Sequence, residues 1–310
     1  MRILMLGTGP FAVPSLRALH ASKHEVLLAV SRPPRGRKPL PAPVQLAAES
    51  LGIPDWQPET VNSDESRQKF VELQPDLLVV CDYGEILKSE TLAVARLGGI
   101  NLHGSLLPEY RGAAPVQWAV LNGDSETGNT VIRMTPGLDA GPAVGVDRVA
   151  IDPDETAGEL EFRLAERGAD LVMKVVEQLA TGTEIVVEQD KSQATKAPRL
   201  TKEHGQIDWT RSALEIKNQV RALQPWPRAF TDWQRSSGGP LRLIVHRVAL
   251  CGDSASNTAP GVVVATGGEL VIASGKGNLS LLEIQPTGKR AMRVEEFLRG
   301  NSVQVGDRFS

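Results

Sequence analysis

Cysteine is scarce in this chain of 310 residues: there are two, Cys81 and Cys251, far apart in sequence. That argues against a disulfide framework, and no ligand-like spacing points to a zinc site. Reduced thiols are the expectation. The five histidines, His20, His24, His103, His204 and His246, show no metal-type clustering either, so no metal is expected. No stretch approaches the ~20 apolar residues that a membrane span needs. The N-terminal MRILMLGTGPF lacks the apolar length and cleavage site of a signal peptide. The expected location is therefore the cytoplasm. A large net charge is missing as well. The formal value is −3, which argues against a strong, indiscriminate nucleic-acid binder but leaves room for local basic patches. Internal repeats and low-complexity segments are absent.

The remaining composition is that of a globular protein, with 41% hydrophobic and 23% charged residues. The length suggests two domains. In the first half, Arg2–Gly7, Val26–Val30 and Leu77–Val80 read as buried strands. Pro14–Ala21, Pro43–Leu51 and Ser63–Leu73 read as helices between them. Strands separated by helices imply a parallel sheet in an α/β, Rossmann-like domain. A Pro-rich basic loop, Ser31–Pro39, follows the second strand and carries Arg32, Arg35, Arg37 and Lys38.

The character changes near residue 190. Residues 188–203 read as a polar loop with Lys191, Lys196, Arg199 and Lys202. Ala213, Ile216, Val220 and Leu223 then recur at helical spacing on one face. Short strands with glycine turns follow: Leu241–Leu250, Gly261–Ala265, Leu270–Ala273 and Leu279–Ile284. They imply a small OB-like β-barrel. The expected division is a catalytic domain over 1–189, a basic linker over 190–205 and the barrel over 206–310. Trp209, Trp226 and Trp233 are expected to pack the barrel and its junction rather than to stack on bases.

Gly7-Thr8-Gly9-Pro10-Phe11-Ala12 after the first strand fits G-x-G-x-x-A, a variant of the dinucleotide fingerprint. A site for NAD would want an acidic residue at the end of the second strand, where Ser31 and Arg32 stand. Arg32 would tolerate NADP. The plainer reading is that the glycines only let the chain turn from strand to helix.

The segment richest in chemistry is Gly99–Gly141. Asn101 and His103 are two apart, so in an extended chain they point to the same side, where the sheet ends and a loop begins. Asp139 lies in a glycine-flanked loop that can bring a carboxylate beside the imidazole. Acyl transfer to an amine develops an oxyanion, for which an Asn amide and a protonated His are suitable donors. An Asp can carry the proton that leaves the attacking amine, directly or through water. No serine or cysteine nucleophile is needed. Spacing alone favours reading the three as turn and surface residues.

The run NLHGSLLPEYRGAAP from Asn101 to Pro115, followed by GLDAG from Gly137, resembles the signature of the folate-dependent formyltransferases. The resemblance implies that Asn101, His103 and Asp139 are catalytic. It implies that Ser105, Leu106, Leu107 and Pro108 contact folate, with Tyr83, Ile86 and Leu87 near an apolar pterin pocket. It also implies 10-formyltetrahydrofolate as donor. Ala197–Glu203, Ile207-Asp208-Trp209, Arg221-Ala222-Leu223, Pro225-Trp226-Pro227 and Gln285–Met292 resemble the members that act on methionyl initiator tRNA. The likeness runs from Arg2 to about Phe309 and implies that tRNA as partner; a monomer is the expected form. A formyltransferase acting on a nucleotide-linked amino sugar is the competing reading. Three basic sets are the candidate tRNA contacts: Arg32, Arg35, Arg37 and Lys38; Lys196, Arg199 and Lys202; Lys289 and Arg290. The sequence departs from the family in a shorter basic loop, in Asn129 for a common valine, and in Pro142 for a common acidic residue.

Overall fold

Residues Ile3–Leu6 and Leu77–Val79 are wholly buried, as expected of strands covered on both faces. In the computed structural model, which describes all residues except 37–38, 236–237 and 253–257, these runs are the middle of a seven-stranded sheet. Its first five strands are β1 (Arg2–Gly7), β2 (Glu25–Val30), β3 (Asp55–Trp56), β4 (Leu77–Cys81) and β5 (Gly99–His103), paired in parallel. A short strand β6 (Arg111–Gly112) stands outside it. β7 (Glu126–Arg133) and β8 (Ala143–Ala150) extend the sheet antiparallel, beyond the purely parallel sheet read from the sequence. The spatial order is β3-β2-β1-β4-β5-β7-β8. The direction of winding reverses between β1 and β4, and ligands of open α/β sheets bind at such a reversal, outside the carboxyl ends of the strands.

Helices α1 (Val13–His20), α2 (Pro43–Leu51), α3 (Asp64–Leu73), α4 (Ser89–Leu92), α5 (Pro115–Asn122) and α6 (Ala157–Thr181) complete the first half. Phe70 of α3 and Leu92 of α4 pack with Leu4, Leu6, Val30, Leu78 and Val80 in one buried cluster. Further along the sheet, α6 approaches closely because glycine stands at the contact. A Cβ on Gly168 would lie 2.7 Å from Leu102, and one on Gly145 2.7 Å from Val175.

The chain divides into two units that do not follow chain order. One holds Met1–Val116, Glu126–Ala150 and Leu160–Pro198; the other holds Gln117–Ser125, Ile151–Glu159 and Arg199–Ser310. Arg221 shows what draws Ile151–Glu159 into the second. It is 7% exposed and donates to the carbonyls of Asp152 and Glu155, both at 3.2 Å. The segment read as a polar loop has structure of its own. It carries β9 (Lys196–Ala197), which pairs in parallel with β6.

In the second unit, α7 (Ala213–Ala222) opens with a capping box in which Ser212 and Glu215 satisfy each other's backbone N–H groups. Hydrogen bonds from Ser212 hold the Glu215 carboxyl down at about 2. The strands are β10 (Ala229–Gln234), β11 (Leu241–Cys251), β12 (Val263–Ala265), β13 (Leu270–Ala273), β14 (Asn278–Pro286), β15 (Met292–Arg293) and β16 (Arg308–Phe309). They lie in the order β12-β13-β14-β11-β10-β16, with β15 on β14. The ends meet: Phe309 N donates to Gly261 O at 2.8 Å and Val263 N to Asp307 O at 2.9 Å. The result is the OB-like barrel expected, with one element the sequence did not signal. α8 (Val294–Gly300) inserts Val294 and Phe297 into the core. Trp209 and Trp233 are core residues there, whereas Trp226 is 51% exposed.

Candidate active site

β5 ends at His103, so Asn101 and His103 leave the sheet at its carboxyl edge on one side of the strand. The imidazole is buried. Its Nε2 lies 2.9 Å from the Tyr110 carbonyl; because a carbonyl only accepts, Nε2 must carry the hydrogen. That leaves Nδ1 facing Asp139, 3.8 Å from Oδ2. The same Oδ2 accepts from Gly112 N at 2.9 Å. The carboxylate is thus held close to the ring without bonding to it directly. The half-buried Asn101 side chain makes no hydrogen bond among the described residues, so its amide is available as a donor.

The turn after β5 is tied to the sheet. Thr130 Oγ1 donates to Ser105 O at 2.7 Å and accepts from Leu107 N at 3.0 Å. The fully buried Ser105 donates to Glu109 O at 2.7 Å. These bonds set the course of Ser105-Leu106-Leu107-Pro108, the stretch expected to meet folate, and leave Leu106, Leu107 and Pro108 half-buried. Of the other expected folate residues, Tyr83 and Leu87 are buried in the core on the sheet, and Ile86 alone presents its side chain, 56% exposed. Five non-glycine residues among those described have left-handed backbone: Gln74, Asp82, Tyr110, Asp139 and Arg228. Tyr110 and Asp139 both touch His103, and strain of this kind concentrates at working sites.

The glycine loop has another explanation than turning. Gly9 has φ −82, which any residue can adopt. What it needs is space, since a Cβ there would lie 1.8 Å from Asp82 Oδ2, and one on Gly7 would lie 2.6 Å from Ala12 Cβ. The Asp82 carboxyl accepts from the Gly9 amide. The space over Gly9 is therefore filled by the Asp82 carboxyl. Asp82 is an exposed residue, but desolvation around its carboxyl pushes it up to about 6.

Arg32, expected among the tRNA contacts, is committed elsewhere. Its Nη1 lies 2.5 Å from Glu85 Oε2, with both side chains largely buried. Glu85 also accepts from Thr60 Oγ1, and from Val61 N and Asn62 Nδ2 at 3.2 and 2.9 Å. Pulling Arg32 away would strand a largely buried carboxylate, which weighs against a tRNA contact by this residue. Arg35 is exposed, 3.8 Å from the exposed Glu59. Arg37 and Lys38 lie outside the described residues. Lys196, Arg199, Lys202 and Lys289 are exposed, and the exposed Arg290 pairs with Glu296. One residue that holds the Asp139 loop carried no local sequence signal. Gln189 donates through Nε2 to the carbonyls of Asp139 and Gly141, and accepts from Arg111.

A model of the formyl transferase family matches residues 1–176, and a model of the formyl transferase C-terminal domain matches residues 199–302. The chain belongs to the formyl transferase family. Its curated relatives include a protein of Desulfotalea psychrophila, 43% identical over 98% of this chain and 94% of the relative. Another, of Rhodopirellula baltica, is 44% identical over 99% and 96%. Both are named methionyl-tRNA formyltransferase. Among solved structures, an N-formyltransferase of Helicobacter canadensis bound to folinic acid and dTDP-3-aminofucose has a TM-score of 0.70 at 17% identity, covering 91% of this chain and 99% of its own. The sugar 3N-formyltransferase WlaRD has a TM-score of 0.66 at 18% identity, covering 94% and 99%. At such identities the structural neighbours establish the fold alone, and the family's choice of acceptor is read from the closer relatives.

Proposed function

We propose that the chain transfers the formyl group of 10-formyltetrahydrofolate to the free amino group of methionyl initiator tRNA, for translation initiation in the cytoplasm. The observation that carries this reading is likeness along nearly the whole chain, both domains included, to proteins named for that acceptor. The residues present suit a folate donor: the Asn101 side chain makes no hydrogen bond among the described residues and stands at the sheet edge, and Leu106, Leu107 and Pro108 in the following turn are half-buried. When bound, the folate supplies the activated formyl group.

The chain's residues then have defined tasks. Asn101 donates its amide N–H to the oxygen that becomes negative as the amine attacks the formyl carbon. His103, fixed through Nε2 by Tyr110 O, offers a protonated Nδ1 to the same charge. Asp139 orients that imidazolium and takes the proton leaving the amine, directly or through water. The proton passes on to the departing nitrogen, so atoms and charge balance. Ser105, Leu106, Leu107 and Pro108, with Tyr83, Ile86 and Leu87, form the folate side. Residues 1–189 serve as catalytic domain, 190–205 as basic linker and 206–310 as a barrel that grips tRNA, in a monomer that needs no metal. Arg35, Arg37, Lys38, Lys196, Arg199, Lys202, Lys289 and Arg290 meet its phosphates.

The test mixes the protein with 10-formyltetrahydrofolate and charged methionyl initiator tRNA, with charged elongator methionyl tRNA and a nucleotide-linked amino sugar in parallel. Fast transfer to the initiator alone is the expected result. Transfer to the sugar alone would keep the catalytic roles and overturn the acceptor.

A further inference from the structure

We propose that Gln189 is a positioning residue for formyl transfer, and that Gln189–Ala197 acts as the brace of the His103–Asp139 pair rather than as a passive linker. The inference rests on the formyl-transfer reading above. Both groups that hold the pair come from segments this stretch supports. The Gln189 amide nitrogen donates to Asp139 O at 2.9 Å and to Gly141 O at 2.6 Å. It thereby pins the backbone of the loop that carries the carboxylate, on either side of Ala140. Its amide oxygen accepts from Arg111 Nη2 at 2.6 Å, so one side chain ties the Asp139 loop to the segment after β5.

That segment is held from the same stretch. Thr195 Oγ1 accepts from Tyr110 N at 2.8 Å, Thr195 O from Arg111 N at 2.9 Å and Ala197 O from Ala113 N at 2.8 Å. Tyr110 supplies the carbonyl that fixes the His103 ring, and Gly112 supplies the N–H that fixes the Asp139 carboxylate. Tyr110 and Asp139 are both in left-handed backbone, at φ 59 and 47, which non-glycine residues keep only where their surroundings hold them. Without the brace, relaxation of either backbone would widen the 3.8 Å gap between ring and carboxylate.

Gln189→Glu is the discriminating variant. It has the same shape, and its oxygen still accepts from Arg111, but it cannot donate to the two carbonyls and repels them. We expect Gln189→Glu and Gln189→Ala each to lower kcat about 10- to 100-fold, as misplacement of a catalytic group does, with the KM for 10-formyltetrahydrofolate little changed. In an Asp139→Ala background Gln189→Glu, which keeps the Arg111 bond, should cost nothing further, because the group it positions is gone. A residue that merely supported the fold would multiply its effect on that background. Full kcat in Gln189→Glu, or losses that multiply, would overturn the proposal. Should the wild-type chain transfer no formyl group to any acceptor, the functional reading fails instead. Amide hydrogen exchange across Gly137–Gly141 then decides the brace by itself: faster exchange in Gln189→Glu supports it, and unchanged exchange overturns it.

Discussion

At the scale of single residues, His103 and Asp139 illustrate how a site can be held ready without being closed. The ring is committed through one nitrogen to Tyr110 O, and the carboxylate through one oxygen to Gly112 N. Ring and carboxylate stand 3.8 Å apart. His103→Ala should lower kcat about 100- to 1,000-fold, the usual cost of losing an oxyanion donor. Asp139→Ala should lower it about 100-fold or more, the usual size of a proton-transfer contribution. Single-turnover formylation with an unchanged unfolding midpoint is the check, and near wild-type turnover in either variant sinks its role. Asp82 makes a separate prediction about pH. Its carboxyl is raised by burial from an ordinary 3.8 to about 6, so the fold prefers it protonated. Its stabilising contribution is then complete below the ordinary value and is lost as pH rises through about 6. Asp82→Asn has nothing to ionise, and asparagine tolerates the left-handed backbone at φ 46. The variant should be more stable than the parent near neutral pH, with the difference vanishing in acid. Urea unfolding across that range would show it, and a constant difference would refute the assignment.

At the scale of elements, the shortest strands matter most. β6 and β9 have two residues each and pair 85 positions apart, Arg111 with Lys196 and Gly112 with Ala197. Gly112 is at φ 131, and a Cβ there would stand 2.5 Å from Ala197 O. Gly112→Ala must therefore strain the backbone, at about 1–3 kcal/mol, and part the two strands as well. The N–H that holds Asp139 moves with them. We expect a folded protein of lower midpoint whose kcat falls more steeply than its folate affinity. Loss of affinity with intact kcat would contradict the arrangement. α8 teaches a different lesson about elements. Its seven residues are too short to establish a helical period, so the sequence gives no cue for it, yet Phe297 packs against Trp233 at 6.0 Å in the barrel core.

At the scale of the whole molecule, a net charge of −3 has to coexist with a polyanionic partner. Binding must then depend on local cations, and so on salt. Removing Lys196, Arg199 and Lys202 together by glutamine should weaken initiator tRNA binding and reduce the slope of log affinity against log salt by roughly 2 to 3. Formylation of a short aminoacyl mimic that lacks the stem should be unaffected. Filter binding at several salt concentrations tests this, and an unchanged slope would return these residues to ordinary surface. Arg32 gives the converse case. Arg32→Gln should damage the fold around Glu85, leaving an unpaired buried carboxylate, without altering the salt slope.

Local pattern in the sequence was enough to locate the central strands β1, β2 and β4, because runs such as Leu77-Leu78-Val79-Val80 are too apolar to lie anywhere but inside a sheet covered on both faces; the antiparallel β7 and β8 were not read from it. It also located four of the barrel strands, β11 to β14, through short apolar runs and glycine turns, but not β10, β15 or β16, and it picked out the candidates Asn101, His103 and Asp139 through one dense motif. Only the tertiary structure decided which partners those residues take. Gln189 meets Asp139 across 50 positions and Arg32 meets Glu85 across 53. Neither separation leaves a trace in periodicity, which reports the faces of single elements and not what they meet. The same holds for Gly9, which local pattern marks as a turn and the fold assigns to making room for Asp82. A hydrogen bond between distant segments depends on how the chain returns upon itself, and that is settled by packing of the whole unit.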